Sequence, residues 1–160
     1  MPVIKVSSLT DADAAAIRLW PPYPDSLQDL DYALRANGWL DQFPDSQQTR
    51  RFSAWDGAQL VGFSILTNIT STDAEFYIAL HPQQIGHGIG RVVMLRTLDI
   101  GFTELNLKHI YLKVRDWHQR AIALYESIGF KKTGTSIVEI QGKPVNFVNM
   151  CIKRPDLTNR

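Results

Sequence analysis

The run Gly86-His87-Gly88-Ile89-Gly90 constrains this chain more than any other stretch, because it lies where a strand pattern hands over to a helix pattern. Upstream, Ala74, Phe76, Ile78 and Leu80 alternate with Asp73, Glu75, Tyr77 and His81, which predicts a strand with one apolar and one polar face. Downstream, Ile89, Val92, Leu95, Leu98 and Phe102 recur at helical spacing. A helix that opens on such a turn leaves its first backbone N–H groups without partners and presents the positive end of its dipole, a combination that favours phosphate. Glycines clear side chains from that approach and admit left-handed backbone. The motif by itself is equally a plain loop whose glycines only turn the chain.

The remaining pattern surrounds this turn with a mixed sheet. Residues 3–6 read as a first strand, and Thr10 with Asp11 and Asp13 opens a helix that should end at Trp20, before Pro21, Pro22 and Pro24. Asp25 or Ser26 caps a second helix through Leu30 and Leu34, stopped at Gly38. Residues 51–55 and 60–66 flank Asp56-Gly57 as a hairpin, 109–114 form a strand, and 121–128 an amphipathic helix ended by Gly129. Gln141-Gly142 joins two closing strands, 133–140 and 145–152, and residues 154–160 read as a tail after a single domain over 1–153. The order β-α-α-β-β-β-α-β-α-β-β implies an α/β (α+β) fold, a mixed sheet with helices on its faces.

Charge narrows the partners. The 160 residues carry 17 Lys and Arg against 16 Asp and Glu, so no global field draws the chain to nucleic acid or to an anionic bilayer, and any anion is bound locally. No apolar run approaches the length of a bilayer span, and the one cysteine, Cys151, belongs to no metal-ligand cluster and suits a reducing, cytoplasmic setting. Two familiar phosphate motifs fail on spacing. A P-loop requires Gly-Lys-Ser/Thr, where this chain has Gly90-Arg91-Val92, and the dinucleotide fingerprint requires a sixth-position glycine, where counting from Gly86 gives Arg91.

The segment Leu80-His81-Pro82-Gln83-Gln84-Ile85-Gly86-His87-Gly88-Ile89-Gly90 resembles the acetyl-CoA-binding motif of the GNAT N-acetyltransferase family, and Ala121-Ile122-Ala123-Leu124-Tyr125-Glu126-Ser127-Ile128-Gly129-Phe130 resembles its later helix. The likeness in element order covers nearly the whole chain. It implies a mostly antiparallel twisted sheet of about six to seven strands with about four helices, and acetyl-CoA as co-substrate. Ile85 stands where the family usually has Gln or Arg, and His118 where it often has Asn. The cofactor contacts implied are Leu80, Ile85, Gly86, His87, Gly88, Ile89, Gly90, Arg91 and His118.

What the resemblance implies chemically is direct attack of an amine on a thioester through a tetrahedral intermediate. It assigns the oxyanion donor to a backbone N–H near Leu80. Tyr125 falls at the family's acid position, and a phenol of pKa about 10 protonates a thiolate of pKa about 8.5 if held close; as a plain core residue it would share a stripe with Ala121, Leu124 and Ile128. Glu75 and His81 are the candidate bases, with a structural carboxylate and an ordinary strand-end histidine as the competing readings. Acceptor recognition is expected between residues 20 and 50, from Asp25, Asp29, Asp31, Asp41 and Asp45 and from Trp20, Tyr23, Tyr32 and Trp39, all of which have ordinary turn or core explanations.

The acceptor expected is a primary amine on a small molecule, peptide or protein. A non-catalytic acyl-CoA-binding module and a toxin-like aminoacyl-tRNA acetyltransferase are the alternatives. No metal is called for, and a C-terminal edge strand leaves a homodimer open.

Overall fold

A computed structural model describes residues 3–157 of the chain. Its strands are β1 (Ile4–Ser8), β2 (Arg50–Asp56), β3 (Gln59–Thr67), β4 (Asp73–Leu80), β5 (His109–Arg115), β6 (Lys131–Ile140) and β7 (Lys143–Lys153). They form one sheet in the order β1-β2-β3-β4-β5-β7-β6. Every neighbouring pair is antiparallel except β4 and β5. The helices are α1 (Asp11–Arg18), α2 (Trp39–Gln42), α3 (Ile89–Asp99) and α4 (Gln119–Ile128), with a 3-10 run over Asp25–Leu34 and a π-turn over Ile100–Glu104 that prolongs α3.

The alternation read along β4 places its two faces in two cores. Ala74, Phe76 and Ile78 face α3 and α4, among Met94, Leu98, Ile110, Leu112, Ile122 and Ile128. Tyr77 and Ala79 face the opposite layer, with Ile17, Leu34, Leu40, Phe63 and Ile65. α1 opens on a capping box in which Asp13 N–H donates to Thr10 Oγ1 at 3.1 Å and Thr10 N–H donates to Asp13 Oδ2 at 3.1 Å. It stops at Arg18, two residues before the expected Trp20, ahead of the proline pair.

Residues 25–38 correct the expectation of an α-helix stopped by Gly38. The backbone winds as 3-10 and becomes extended at Arg35, with ψ 177°. The Arg35 guanidinium then donates to the carbonyls of Arg18 at 3.0 Å and Trp20 at 2.7 Å, besides gripping Asp31. Gly38 starts α2 instead of ending its predecessor, and a Cβ there would lie 2.2 Å from the Tyr32 carbonyl. A tertiary tie therefore overrides the local helical pattern. The end of the chain differs too: after β7, Arg154–Asp156 makes a 3-10 turn and Leu157 packs on the main core, while residues 158–160 of the expected tail lie outside the described residues.

Gly129 ends α4 as the sequence suggests, at φ 129°, and its Cα lies under the Asp156 carbonyl so closely that a Cβ would come within 2.2 Å. Both the backbone conformation and the close approach exclude a side chain. Gly129→Ala is expected to cost at least about 2 kcal/mol, a fall of several degrees in Tm, whereas Gly134→Ala, with nothing within 4 Å, changes stability by less than about 0.5 kcal/mol. Thermal melts of the two variants check this pair.

Candidate active site

The site begins where the sheet opens. β4 and β5 pair only over residues 73–75 against 109–111, after which β4 continues beside β3 alone and β5 beside β7 alone. The His81 N–H donates to the Val61 carbonyl at 2.8 Å, so the odd residues of β4 direct their backbone groups to β3 and the even ones direct theirs into the gap. Within that gap the Leu80 carbonyl accepts the Tyr23 hydroxyl at 2.6 Å. Tyr23 is buried, and burial raises its phenol well above the usual tyrosine range, so it remains a donor. The Leu80 N–H is left facing the opening.

The glycine turn closes one end of the gap. Gly86 and Gly88 have φ of 87° and 79°, the left-handed region that favours glycine. α3 starts with Gly88 as its N-cap and has no side-chain cap, so the N–H groups of Ile89, Gly90 and Arg91 have no intrahelical acceptor, and no loop acceptor among the described residues takes them. Across the turn stands Arg120, in the first turn of α4, with Nη2 3.2 Å from where a Gly86 Cβ would be. The backbone donors, the dipole and a guanidinium converge on one spot, which suits a diphosphate.

A cleft of about 700 Å³ runs from this turn through the gap to α4. Leu80, Ile85, Gly86, Gly88, Gly90, Arg91, His118 and Tyr125 all line it. Two expected contacts sit differently: Ile89 is buried beneath the helix, and His87 projects an exposed side chain that is not on the cleft wall. Arg91 is tied to α4 by a 2.7 Å bond to Ser127 Oγ. His118 occupies the N-cap position of α4 without capping it through its side chain; its ring stacks on Trp117 at 5.1 Å. Burial and the nearby Arg120 charge lower its pKa, which keeps the imidazole neutral near pH 7.

Tyr125 reaches the cleft from α4, its ring 6.0 Å from that of Phe130. Burial pushes its phenol up to about 12, and its hydroxyl has no hydrogen-bond partner among the described residues. Tyr125 thus lines the same cavity as the glycine turn and carries a protonated hydroxyl.

The polar face of β4 and β5 leads to a second cavity. This groove, of about 1320 Å³, lies between the 3-10 run, β5 and the β6–β7 hairpin, and Asp29, Asp31, Tyr32, Tyr77, Lys113 and Arg115 are among its residues. Trp39 and Trp117 line both cavities, and Trp117 is 41% exposed, so these indoles mark where the two meet. Of the carboxylates weighed for acceptor binding, Asp41 pairs with Arg18 and Asp45 with Arg51, away from the groove. Trp20 is buried against Phe63 and His81.

The two candidate bases line neither cavity. Glu75 is 4% exposed, accepting from Lys113 Nζ at 2.6 Å and Asn68 Nδ2 at 3.1 Å. His81 accepts the Gln83 N–H on Nδ1 at 3.1 Å, and burial lowers its pKa, so the neutral ring carries its proton on Nε2. Sequence reasoning missed Arg120, Trp117, Lys113 and Arg115. The last two were legible as the polar half of an alternation against Ile110, Leu112 and Val114, and Arg120 lies only two residues past His118. Among the described residues no cluster of His, Cys, Asp and Glu gathers to hold a metal, and no helix is long and apolar enough to cross a membrane.

Comparison with known proteins agrees with this geometry. Residues 13–130 match the Acetyltransferase (GNAT) family. The chain is 30% identical to spermidine N(1)-acetyltransferase of Escherichia coli (strain K12) over 146 residues, 89% of this chain and 76% of that protein. It is 36% identical to the spermidine N(1)-acetyltransferase of Vibrio cholerae serotype O1 over 116 residues, 69% of this chain and 67% of the other. The crystal structure of spermidine N-acetyltransferase from Vibrio cholerae in complex with CoA and spermine superposes with a TM-score of 0.76 at 26% identity, covering 98% of each chain. An open β4–β5 gap, a glycine turn of free amides and a family match over most of the length lead to one conclusion: the chain belongs to the GNAT family and is an acetyl-CoA-dependent N-acetyltransferase.

Proposed function

We propose that this protein acetylates a linear aliphatic primary amine that enters through the groove and meets the thioester at the β4–β5 gap. The observation that carries the proposal is that Trp39 and Trp117 line both cavities, one holding the glycine turn and Tyr125, the other lying between the 3-10 run, β5 and the β6–β7 hairpin. The amides of Ile89, Gly90 and Arg91 with the Arg120 guanidinium hold the diphosphate. Ile85 contributes apolar wall and backbone in place of a polar side chain, and the neutral His118 exchanges hydrogen bonds along the cofactor path.

In the reaction the amine nitrogen bonds to the acetyl carbon and the carbon–sulfur bond breaks. The Leu80 N–H receives the developing oxyanion, a role for which its position in the gap pre-organises it. Tyr125 gives its proton to the departing sulfur and recovers one from solvent. Its raised pKa does not defeat the transfer, since the same burial disfavours a thiolate and moves donor and acceptor together. The amine sheds its own proton to water in the open groove. Glu75 fixes Lys113 and leaves that step to solvent, and His81, bonded through Nδ1, holds the Gln83 turn.

The likeness to spermidine acetyltransferases supports a linear aliphatic acceptor, spermidine among those to assay. One cysteine and dependence on acetyl-CoA suit the cytoplasm. The exposed edge strand β6 favours a homodimer, which light scattering after size exclusion tests directly.

Tyr125→Phe is expected to lower kcat at least about tenfold with little change in CoA affinity, read by thiol release and by calorimetric titration of CoA; an unchanged kcat removes the acid role. Arg120→Ala is expected to weaken CoA about tenfold, the scale of one charge-assisted contact, with Tm held within a few degrees. Because the Tyr125 phenol titrates at about 12, kcat/KM should climb as an acceptor amine of pKa about 10 deprotonates and should show no falling limb below about pH 10. A descending limb centred below about pH 9 that vanishes in Tyr125→Phe would contradict the assigned burial.

A further inference from the structure

Charge is unevenly committed around the acceptor groove. Arg35 is saturated by Asp31 and by the carbonyls of Arg18, Trp20 and Pro21. Lys113 is paired with Glu75, which is itself 4% exposed. Arg115 differs. It is 7% exposed, yet no carboxylate oxygen among the described residues lies within 4.0 Å of it. What surrounds it is a backbone carbonyl, that of Asp29, to which Nη2 donates at 3.1 Å, and the faces of Tyr32 and Phe147 at 5.9 and 5.5 Å.

This is a costly way to hold a charge. A guanidinium stays protonated at any relevant pH, so it cannot escape desolvation by titrating as a lysine or histidine would. A carbonyl and two ring faces offset part of that cost, and the N–H groups left over face the solvent of the groove, with no carboxylate acceptor among the described residues. The other buried cation among the described residues has one: Arg51, buried to a similar degree, meets Asp45 at 3.2 Å. Arg115 is also a groove residue, so its remaining donors are reachable from the space the acceptor occupies.

We infer that the acceptor carries a carboxylate in addition to its amine, and that Arg115 receives that carboxylate in the groove. This deepens the transferase reading above and rests on it. The groove supplies the other half of the match, because Asp29, Asp116 and Glu139 line it, are exposed and have no ion-pair partner among the described residues. These carboxylates attract the ammonium end of the incoming molecule, while a planar guanidinium between two rings takes the anionic end by bidentate hydrogen bonds. A pure polycation would satisfy the acids but would bring like charge against a guanidinium that no carboxylate contacts directly, an arrangement that costs binding. Arg115 is accordingly a specificity residue rather than a participant in bond making.

The test compares acceptors matched in length. Initial rates of thiol release are measured for 4-aminobutyrate, 6-aminohexanoate and lysine, for the corresponding alkylamines and diamines without the carboxylate, for lysine amide, and for spermidine. The expected result is a kcat/KM at least about tenfold higher for the best amino carboxylate than for its uncharged or decarboxylated counterpart, the scale of one buried charge-assisted pair. In Arg115→Met, which keeps an apolar stem between Tyr32 and Phe147, that ratio should fall toward one, and Arg115→Lys should restore part of it. A merely structural arginine would lower all acceptors together and leave the ratio intact. Spermidine or a diamine turned over at least as well as every amino carboxylate, or a preference that survives Arg115→Met, overturns the inference while leaving the transferase reading in place. If no amine is turned over at all, the transferase reading fails, and calorimetry on the CoA-loaded protein decides the inference: it stands on amino carboxylate binding that Arg115→Met removes and is overturned if none binds.

Discussion

The parallel pairing of β4 with β5 ends after residues 73–75, and the proposed site is built on that early stop. A parallel sheet normally keeps its interior hydrogen-bond groups paired along the whole length of the strands, since unpaired buried backbone is expensive. Here the two strands remain bonded to β3 and β7 on their outer sides while the inner edges part. The result is a slot with main-chain donors on its wall. The Tyr23 hydroxyl already occupies the Leu80 carbonyl, leaving that strand position as a donor alone, the polarity a developing oxyanion requires.

The slot also organises the two sides of the reaction. On the α3–α4 side the charge is positive and mostly backbone in origin, from the turn amides and Arg120. On the opposite side the side chains are charged in both senses: Asp31 pairs with Arg35 and Lys113 with Glu75, while Asp29, Arg115, Asp116, Glu139 and Lys143 have no ion pair among the described residues. Glu75 and Lys113 are one such pair: the carboxylate is buried and held by the lysine at 2.6 Å, and burial, with the Glu75 charge adding to it, raises the Tyr77 and Tyr111 phenols above the usual tyrosine range. A carboxylate so engaged holds Lys113 in place on the groove wall. Arg115, next on the same face of β5, is likewise buried but has no carboxylate partner among the described residues.

How much of this was legible before folding depended on whether the signal was local. The β4 alternation, the helical spacing after Gly90, the Thr10 capping box and the Gly129 stop are short-range, and the structure reproduces each of them. Tyr125 and the glycine turn reach one cleft, as a motif in two ordered parts suggested. The helix expected over 25–38 failed because Arg35 answers to carbonyls some 15 residues upstream, information that no local period contains. Arg120 escaped notice for a related reason: its contact with Gly86 spans two loops and exists only after α4 packs beside α3. Glu75 and His81 looked free because their partners, Lys113 and Trp20, come from distant strands and loops.

The most direct measurement of the central claim is backbone amide exchange, followed residue by residue on the free protein and with CoA added. The claim predicts that the amides of Ile89, Gly90 and Arg91 at the start of α3, and of Ile78 and Leu80 along the open edge of β4, exchange readily without CoA and slow markedly on its addition, while those of β6 do not respond. Amides at these positions that are already slow in the free protein, or that ignore saturating CoA, would contradict it, since they would then be satisfied by the protein itself.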